Sequence, residues 1–554
     1  MSLIYPAIAW ILLMPVKPAI NESSAWLAHS LKRYYPTSPV ENRDDLFLEV
    51  ARHERASFQV VIKNGLEVAE VGASVDPLSG VTAQVRSIGY VPLAHFNSDT
   101  PQKELEGVGY VPGFVPDPLF DETTVTAGPL ETNAFWVTLR IARDAKPGSV
   151  TLPIKVTMGL AKKTLTVRLN IHKAVLPARK DFPVTHWFYT DALCDYYKVE
   201  PFEEAFWPIV DRYMANMMDH GEDVLHVPIF TPPTDGVKRP TQLLKVTRNG
   251  DKYVFDWSDV KRYIEMAKAN GFHKFEWAHF FSQWGCKSAL RIYETPQEDE
   301  KLLWPAQTEA TSPVYRDFLE QFMPEFEKFL DAEGVREGSL FHISDEPDGD
   351  DALKNYRAAR QMIREIAPWM KVMDALSHIA FAKEGLVDYP IPSIRVAPEF
   401  VKAGYPAWAY FCSGPRGEYL QRLLDTPLAK IRMSGWLLYK LGAKGFLHWG
   451  YNYWYVSQTR SLLDPFMEQA GAIWPSWGTG DPFLVYPGRK GPIDSIRWEV
   501  FAESLQDYAL LQAAGVLRSD KALASLRNYA KFPKNAEWIL RARKEMLDRL
   551  DEKK

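Results

Sequence analysis

Cysteine is nearly missing from this chain: Cys194, Cys286 and Cys412 are the three in 554 positions. So few, widely spaced and odd in number, they offer no disulfide framework and no CxxC metal pair, and redox chemistry is not indicated. An excess of one charge is missing too. The 65 basic and 70 acidic residues leave a formal net charge of −5, too weak a field to gather phosphates or anionic lipid, so nucleic acid is not an expected partner. No GxGxxG, GxxxxGK[ST] or GxSxG stretch occurs, which removes the main signals of nucleotide use and of a serine nucleophile. His220, His226 and His279 lack HxH or HxxxH spacing and read as structural histidines; neither a metal nor another cofactor is expected. The opening "MSLIYPAIAWILLMPVKPAI" is too short in its apolar part to span a bilayer and has no basic n-region, so no membrane insertion is expected. The corresponding expectation for location is the cytoplasm, with secretion through an atypical signal segment as the alternative.

What is present is an ordinary globular balance, 46% hydrophobic and 24% charged, with 18 Trp and 25 Tyr. The length calls for at least two cores, and the aromatics suit either large cores or the stacking surfaces that sugars use. From residue 46 to 176, short Val-, Thr- and Phe-rich segments such as "ASFQVVIKNG" and "VTLPIKVTMG" alternate in polarity between turn residues, as half-buried strands do. They predict a β-sandwich over 26–178, preceded by a segment 1–25 of unclear role. After the proline-bearing connection "VLPARKDFP", apolar runs alternate with long amphipathic stretches, the pattern of β/α units. Eight candidate strands at 184–189, 223–230, 273–280, 339–344, 371–376, 393–397, 407–412 and 445–450 predict a (β/α)8 TIM barrel over 179–494. "PEFVKAGYP" is short for a crossover helix, so irregularity is expected between the sixth and seventh strands. The stretch 495–554 has helical period and predicts C-terminal helices packed on the barrel. The fold class is thus multidomain β plus α/β.

The stretch "LFHISDEPDG" sets Asp345 and Glu346 side by side at the end of the fourth strand, where Pro347 stops the ladder. Acidic pairs also occur at Asp44-Asp45, Glu203-Glu204 and Asp350-Asp351, so adjacency alone proves nothing. The C-terminal rim of a barrel is, however, where active sites gather. The pair is either a strand-terminating turn or two acids aimed at a substrate. If the substrate is a glycoside, two neighbouring carboxyls reach it from nearly one direction and cannot flank the anomeric carbon. That geometry suits the mechanism in which the substrate's own 2-acetamido oxygen attacks, one acid working as general acid and base and the other orienting the acetamido group.

The "SDEP" strand end, "AWAYFCSGP", "RMSGWLLYKLGAKGFLHWGYNYW" and "DPFLVYPGRKGPIDSIRWEVFAESLQDYALL" resemble the catalytic domain of glycoside hydrolase family 123. The upstream "EVARHERASFQVVIKN" and "FWVTLRIARDAKPGS" resemble that family's N-terminal β-sandwich. The resemblance implies a retaining exo-β-N-acetylgalactosaminidase that works by substrate assistance on glycans or glycolipids, with Asp345 orienting the acetamido group and Glu346 as acid/base. Ala502 and Gln506 depart from the charged residues expected in the last motif.

For substrate binding, Trp449, Tyr451 and Asn452 leave the eighth strand at the rim, where an indole can stack on a sugar and an amide can meet hydroxyls. Tyr410 could donate its hydroxyl to the acetamido oxygen. His279, Tyr189 and Asp374 lie on other strands and could reach the same rim; strand alternation sends only one of each neighbouring pair inward, and His279 and Tyr189 are preferred to Trp277 and Trp187 because each lies nearest the C-terminal end of its predicted strand. Core roles for His448 and Trp454 stand beside a rim role. The alternatives are a glycosidase with a separate carboxylate nucleophile, for which Asp374 is the candidate, and a carbohydrate-binding protein without catalysis.

Overall fold

The computed structural model describes residues 22–233, 239–294, 301–472 and 477–553; the reading of segment 1–25 falls mostly on 1–21, outside them. The N-terminal unit is rich in strands: β1 Ser24–His29, β2 Asp45–Arg52, β3 Arg55–Lys63, β4 Ala69–Val75, β5 Val81–Leu93, β6 Gly113–Phe120, β7 Thr124–Ala127, β8 Thr132–Ile141, β9 Gly148–Met158 and β10 Ala161–Val175. They form two five-stranded sheets, ordered β1-β3-β8-β5-β6 and β2-β10-β9-β4-β7. Alternation does the sorting. Along β9, Leu152, Ile154, Val156 and Met158 are buried while their neighbours face outward, and they meet Phe135, Val137 and Leu139 of β8 in the core between the sheets. Strand β8 is buried on both faces, because Ala134 and Trp136 point the other way into the core of the C-terminal part.

That second part carries the strands β11 Val184–His186 and β12 Val224–Val227, a hairpin β13 Lys245–Asn249 and β14 Lys252–Asp256, then β15 Lys274–Trp277, β16 Ser339–Phe341, β17 Met373–Leu376, β18 Tyr389–Pro392, β19 Ala409–Tyr410 and β20 Phe446–His448. Apart from the hairpin they pair in parallel: β12 with β15, β15 with β16, β17 with β18, β19 with β20, and β20 with β11. Single parallel bridges, Phe341 to Val372 and Ser393 to Tyr410, join the groups. Helices α1 Thr190–Tyr197, α2 Trp207–Asp219, α3 Ser258–Ala269, α4 Pro313–Ala332, α5 Gly349–Ile366, α6 Ala380–Lys383, α7 Ala397–Lys402 and α8 Leu428–Leu441 lie between successive strands.

Three features differ from the sequence expectation. Among the described residues no ladder closes β11 onto β12. The Asp223 carboxylate accepts the Val184 N–H at 2.7 Å, and the Asp223 N–H reaches Val184 O at 3.3 Å, so a side chain occupies the place of ladder bonds. The sixth strand is Tyr389–Pro392 and not 393–397; its two prolines disguise it, and Ser393 to Val396 instead turns into α7. The links around it are short, α6 having 4 residues and α7 having 6, in line with the irregularity foreseen there.

The third feature is the C-terminal helices. Helix α9 Ile496–Ala513 is buried at almost every position, and α10 Ala536–Glu552 packs on β10 and β2 as well as on α9. Thus α9 is an interior wedge between the two parts. Its Glu499 takes Arg55 and Arg86 from the strand-rich unit, its Arg497 donates to Asp117 at 2.9 Å, and Gln506 exchanges hydrogen bonds at 2.8 Å with the Arg55 backbone. The departure at Gln506 is therefore a link between the two units. Gly435 of α8 is required by this packing, since a Cβ there would lie 1.8 Å from Ser504 O of α9. Among the described residues no helix is long and apolar enough to cross a membrane.

Candidate active site

Strand β16 continues as a hydrogen-bonded edge past Phe341: Phe280 N–H donates to His342 O at 3.2 Å and Phe281 N–H to Ile343 O at 3.1 Å. The next residues are Ser344, Asp345 and Glu346, and Pro347 then ends the run. Glu346 has φ +40, a left-handed conformation that a side chain resists and that a following proline disfavours further. Such strain persists where surrounding structure imposes it, and it gathers at functional sites. Trp284 and Gln458, at φ +60 and +55, line the same cavity as Glu346.

That cavity has a volume of about 170 Å³ and is bounded by Asp345, Glu346, Tyr410, Trp187, Trp449 and Asp481, with Gln283, Trp284 and Trp477 at its edges. Asp345 is 5% exposed. Its carboxylate accepts from Gln283 Nε2 at 2.9 Å, and its carbonyl accepts the Trp284 N–H at 2.9 Å, so the loop after β15 is tied to the acid. Glu346 Oε1 accepts the Tyr410 phenol. Burial, reinforced by the Glu346 charge, pushes the Tyr410 pKa well above the usual phenol value. It stays a donor.

On another wall Asp481 accepts from the Trp449 indole Nε1 at 2.8 Å and from the Ser413 hydroxyl at 3.2 Å. His448 Nδ1 accepts the Gly450 N–H at 3.0 Å, which leaves Nε2 to face Asp481 Oδ1 at 3.3 Å. Burial, with the nearby Arg422 cation, lowers the His448 pKa to about 4, so this ring is neutral and donates through Nε2. Four indoles, a phenol and three carboxylates thus share a space too small for a drug-sized ligand, whose pockets run to roughly 300–1,000 Å³. One sugar ring is the scale that fits.

Comparison with known proteins agrees with this chemistry. The family model for the glycoside hydrolase 123 catalytic domain matches residues 187–514. The chain belongs to glycoside hydrolase family 123. In three dimensions it is similar to a family 123 glycoside hydrolase from Clostridium perfringens, described for its hydrolysis of glycolipid glycans: TM-score 0.72, 16% identity, 96% of this chain and 98% of that one covered. A GH5 xyloglucanase from Bacteroides ovatus follows at TM-score 0.31 and 11% identity, covering 87% of this chain and 100% of that one. Among curated proteins no sequence match is found.

In this family 123 hydrolase, Asp345, Glu346, Tyr410 and Trp449 are brought together in the cavity; Asn452, Tyr189, Tyr451, His279, Trp454 and Asp374 are not among the residues that line it. Asn452 is fully buried and spends its amide on the Tyr189 backbone, accepting its N–H at 2.9 Å and donating to its carbonyl at 3.0 Å. The Tyr189 ring packs edge-on against Tyr453. Tyr451 turns towards α2, donating to Asn216 Oδ1 at 2.8 Å. His279 stacks on His342, with centroids 4.3 Å apart. Trp454 is interior and donates to Val485 O.

Asp374 is wholly buried beneath the acids. It binds His342 Nδ1 at 2.9 Å, the N–H groups of Ile343 and Ser344 at 3.1 and 3.3 Å, and the Tyr356 phenol. Glu276 holds the other side of His342 at 2.7 Å and also accepts from Trp187 Nε1 at 2.7 Å. Burial alone would lower the His342 pKa; the bonds to Asp374 and Glu276 outweigh it and raise it to about 10. This buried cation steadies the strand end that carries Asp345. The ligand atoms of His279, His342 and Asp374 lie within 4.8 Å of one another, as do those of His220, Asp494 and Glu499. The first set is engaged with Glu276 and Tyr356, and the second already holds Arg55 and Arg86.

The lining residues that the sequence did not single out include Asp481, Gln283, Trp284 and Trp477. Trp187 was set behind Tyr189 because the predicted strand ran to residue 189, whereas β11 ends at His186. Asp481 stands between Gly480 and Pro482, a placement unsuited to a surface helix, and that was its one visible signal.

Proposed function

We propose that this glycoside hydrolase removes terminal β-linked N-acetylgalactosamine from glycans or glycolipids with retention of configuration, through an oxazoline formed by the substrate's own acetamido group. The observation that carries the reading is the presence of two consecutive carboxylates, Asp345 and Glu346, in one cavity of monosaccharide size. Arising from a single strand end, they approach the anomeric carbon from one side, which substrate assistance tolerates and a flanking pair does not.

Glu346 protonates the leaving oxygen and then takes a proton from the water that opens the oxazoline. Asp345 accepts the acetamido N–H, turns its oxygen towards the anomeric carbon and offsets the positive charge that develops on the ring. Tyr410, held as a phenol, donates its single hydrogen to Glu346 in the free enzyme and turns it to the acetamido oxygen when substrate is bound. Trp449 presents its indole to the sugar face while Asp481 accepts ring hydroxyls. The strands that carry these groups are read as a (β/α)8 barrel whose seam at β11 and β12 is bridged through Asp223.

A panel of nitrophenyl glycosides differing at C2 and C4 tests the reading, with the anomer of the first-formed product followed by NMR. Turnover of the β-N-acetylgalactosaminide with a β product is expected. Equal turnover of a plain 2-hydroxyl sugar would remove substrate assistance. Asp481, the third carboxylate in the cavity, would then be the candidate nucleophile, and a trapped covalent glycosyl-enzyme would identify it.

A further inference from the structure

The sugar cavity does not end at its rim. Gln283 and Trp284 bound it and equally bound an adjoining recess of about 270 Å³, whose far wall includes Pro232, Pro233 and Tyr293. That recess in turn shares Ser288, Arg291 and Ala306 with an open basin of about 820 Å³. The three spaces therefore adjoin through shared walls, in a series that leads from the acids past residues 282–291 to the side of α5, and together they are termed the groove.

Trp284 is the ridge between cavity and groove. It is 55% exposed and its backbone has φ +60. Two anchors hold that costly arrangement: the Trp284 N–H donates to Asp345 O at 2.9 Å, and the Gly285 N–H donates to Ser344 Oγ at 3.2 Å. A large indole kept in solvent at a fixed offset from a catalytic strand is a stacking platform for a ring that the cavity itself does not hold. The charges lie beyond it. Arg291 and Lys287 face the basin with Glu309, and Asn355 enters from α5. Neither cation makes an ion pair or a side-chain hydrogen bond to any described residue, in contrast with Lys301, Arg316 and Arg357 nearby. Among the described residues that line it, the basin sets two cations against one acid, Glu309, with the Arg291 guanidinium donors unspent on described partners, the equipment for a carboxylate or a sulfate.

We propose that this groove is the leaving-group site and that it selects acidic glycans: Trp284 stacks on the sugar attached through the scissile bond, and Arg291 with Lys287 binds the anionic group of a sugar beyond it. The proposal rests on the reading of the cavity as the site of the terminal sugar. Because the groove sits on the product side of the bond that breaks, it sorts substrates by what the terminal sugar is attached to.

The test uses three oligosaccharides ending in the same β-linked N-acetylgalactosamine: one neutral, one bearing a carboxylate sugar, one bearing a sulfate. For the full chain, kcat/KM for at least one acidic substrate should exceed the neutral one about tenfold, the order of one charge-assisted hydrogen bond, and the advantage should shrink with added salt. In Arg291→Ala the acidic-to-neutral ratio should fall towards one, and in Arg291→Lys part of it should return; a ratio is insensitive to the amount of folded enzyme. Which acidic substrate wins separates carboxylate from sulfate. A ratio near one in the full chain, or one that Arg291→Ala leaves intact, overturns the proposal. If nitrophenyl β-N-acetylgalactosaminide is not hydrolysed at all, the reading of the cavity fails instead. Calorimetric titration of the same oligosaccharides into Glu346→Gln then decides the groove: tighter binding of an acidic one, lost on adding Arg291→Ala, supports it, and equal binding sinks it.

Discussion

The Tyr410 phenol and the Glu346 carboxylate are hydrogen-bonded to each other across 64 positions of sequence, each delivered by its own strand to the same cavity. This bond couples the proposed acid/base to the phenol proposed to meet the acetamido group, so their variants should be distinguishable by substrate.

Glu346→Gln removes the proton donor and keeps the shape. Turnover of natural glycans is expected to fall by about 10²–10⁴-fold, the usual worth of general acid–base catalysis. A nitrophenyl glycoside, whose leaving group needs little protonation, should lose far less in its first step. A matching loss on both substrates would deny Glu346 the acid role.

Asp345→Asn should reduce kcat for every 2-acetamido substrate by roughly 10²–10³-fold, because the charge proposed to offset the forming oxazolinium is gone. Steady-state kinetics with two different leaving groups provide the check. An unimpaired variant would take this carboxylate out of the chemistry.

Tyr410→Phe deletes a bond to a charged group, an interaction worth about 1.5–3 kcal/mol. The expected result is a fall of one to two orders of magnitude in kcat/KM together with an altered alkaline limb of the pH–rate profile, the limb on which a required general acid loses its proton. An unchanged profile would reduce Tyr410 to packing.

Asp481→Asn leaves the Trp449 indole and the Ser413 hydroxyl with a neutral acceptor. KM for the sugar should rise about tenfold with a smaller change in kcat if this wall, as proposed, meets hydroxyls and not the reacting bond. A collapse in kcat with unchanged KM would point to Asp481 as a participant in catalysis.

His342 sets a pH dependence of stability. Its folded-state pKa, about 10, lies above the ordinary 6.5, so the native state binds this proton more tightly than the unfolded chain does. The stabilisation is full below about pH 6.5 and is lost as pH rises through about 10. Denaturant titrations should record that loss in the wild-type chain. His342→Gln should be less stable near neutrality by about 3–5 kcal/mol, the cost of stripping a buried carboxylate of its cation, and should lack the alkaline decline. A parallel decline in both would assign it elsewhere.

Much of the architecture was readable in advance because it is written in local periods. The alternation in β9 and the long amphipathic helices announced strands and β/α units, and the acidic pair stood out at a strand end. What misled was register over one or two residues. Ending β11 at His186 instead of Tyr189 exchanges Trp187 for Tyr189 in the cavity, and two prolines in Tyr389–Pro392 hid a strand. Asn452 and Asp374 illustrate a second limit: each is a good ligand by type, yet each is consumed by partners 263 and up to 32 positions away.

By itself, then, the order of residues determined the two-part organisation, the family motifs and the two adjacent acids, all of which are properties of short windows. Only the tertiary structure decided which polar groups remain available to a substrate. Where a polar group ends up depends on what long-range packing sets beside it, and that is how Asp481, though bonded to Trp449 and Ser413, came to line the cavity while Asp374 was enclosed by His342 and Tyr356.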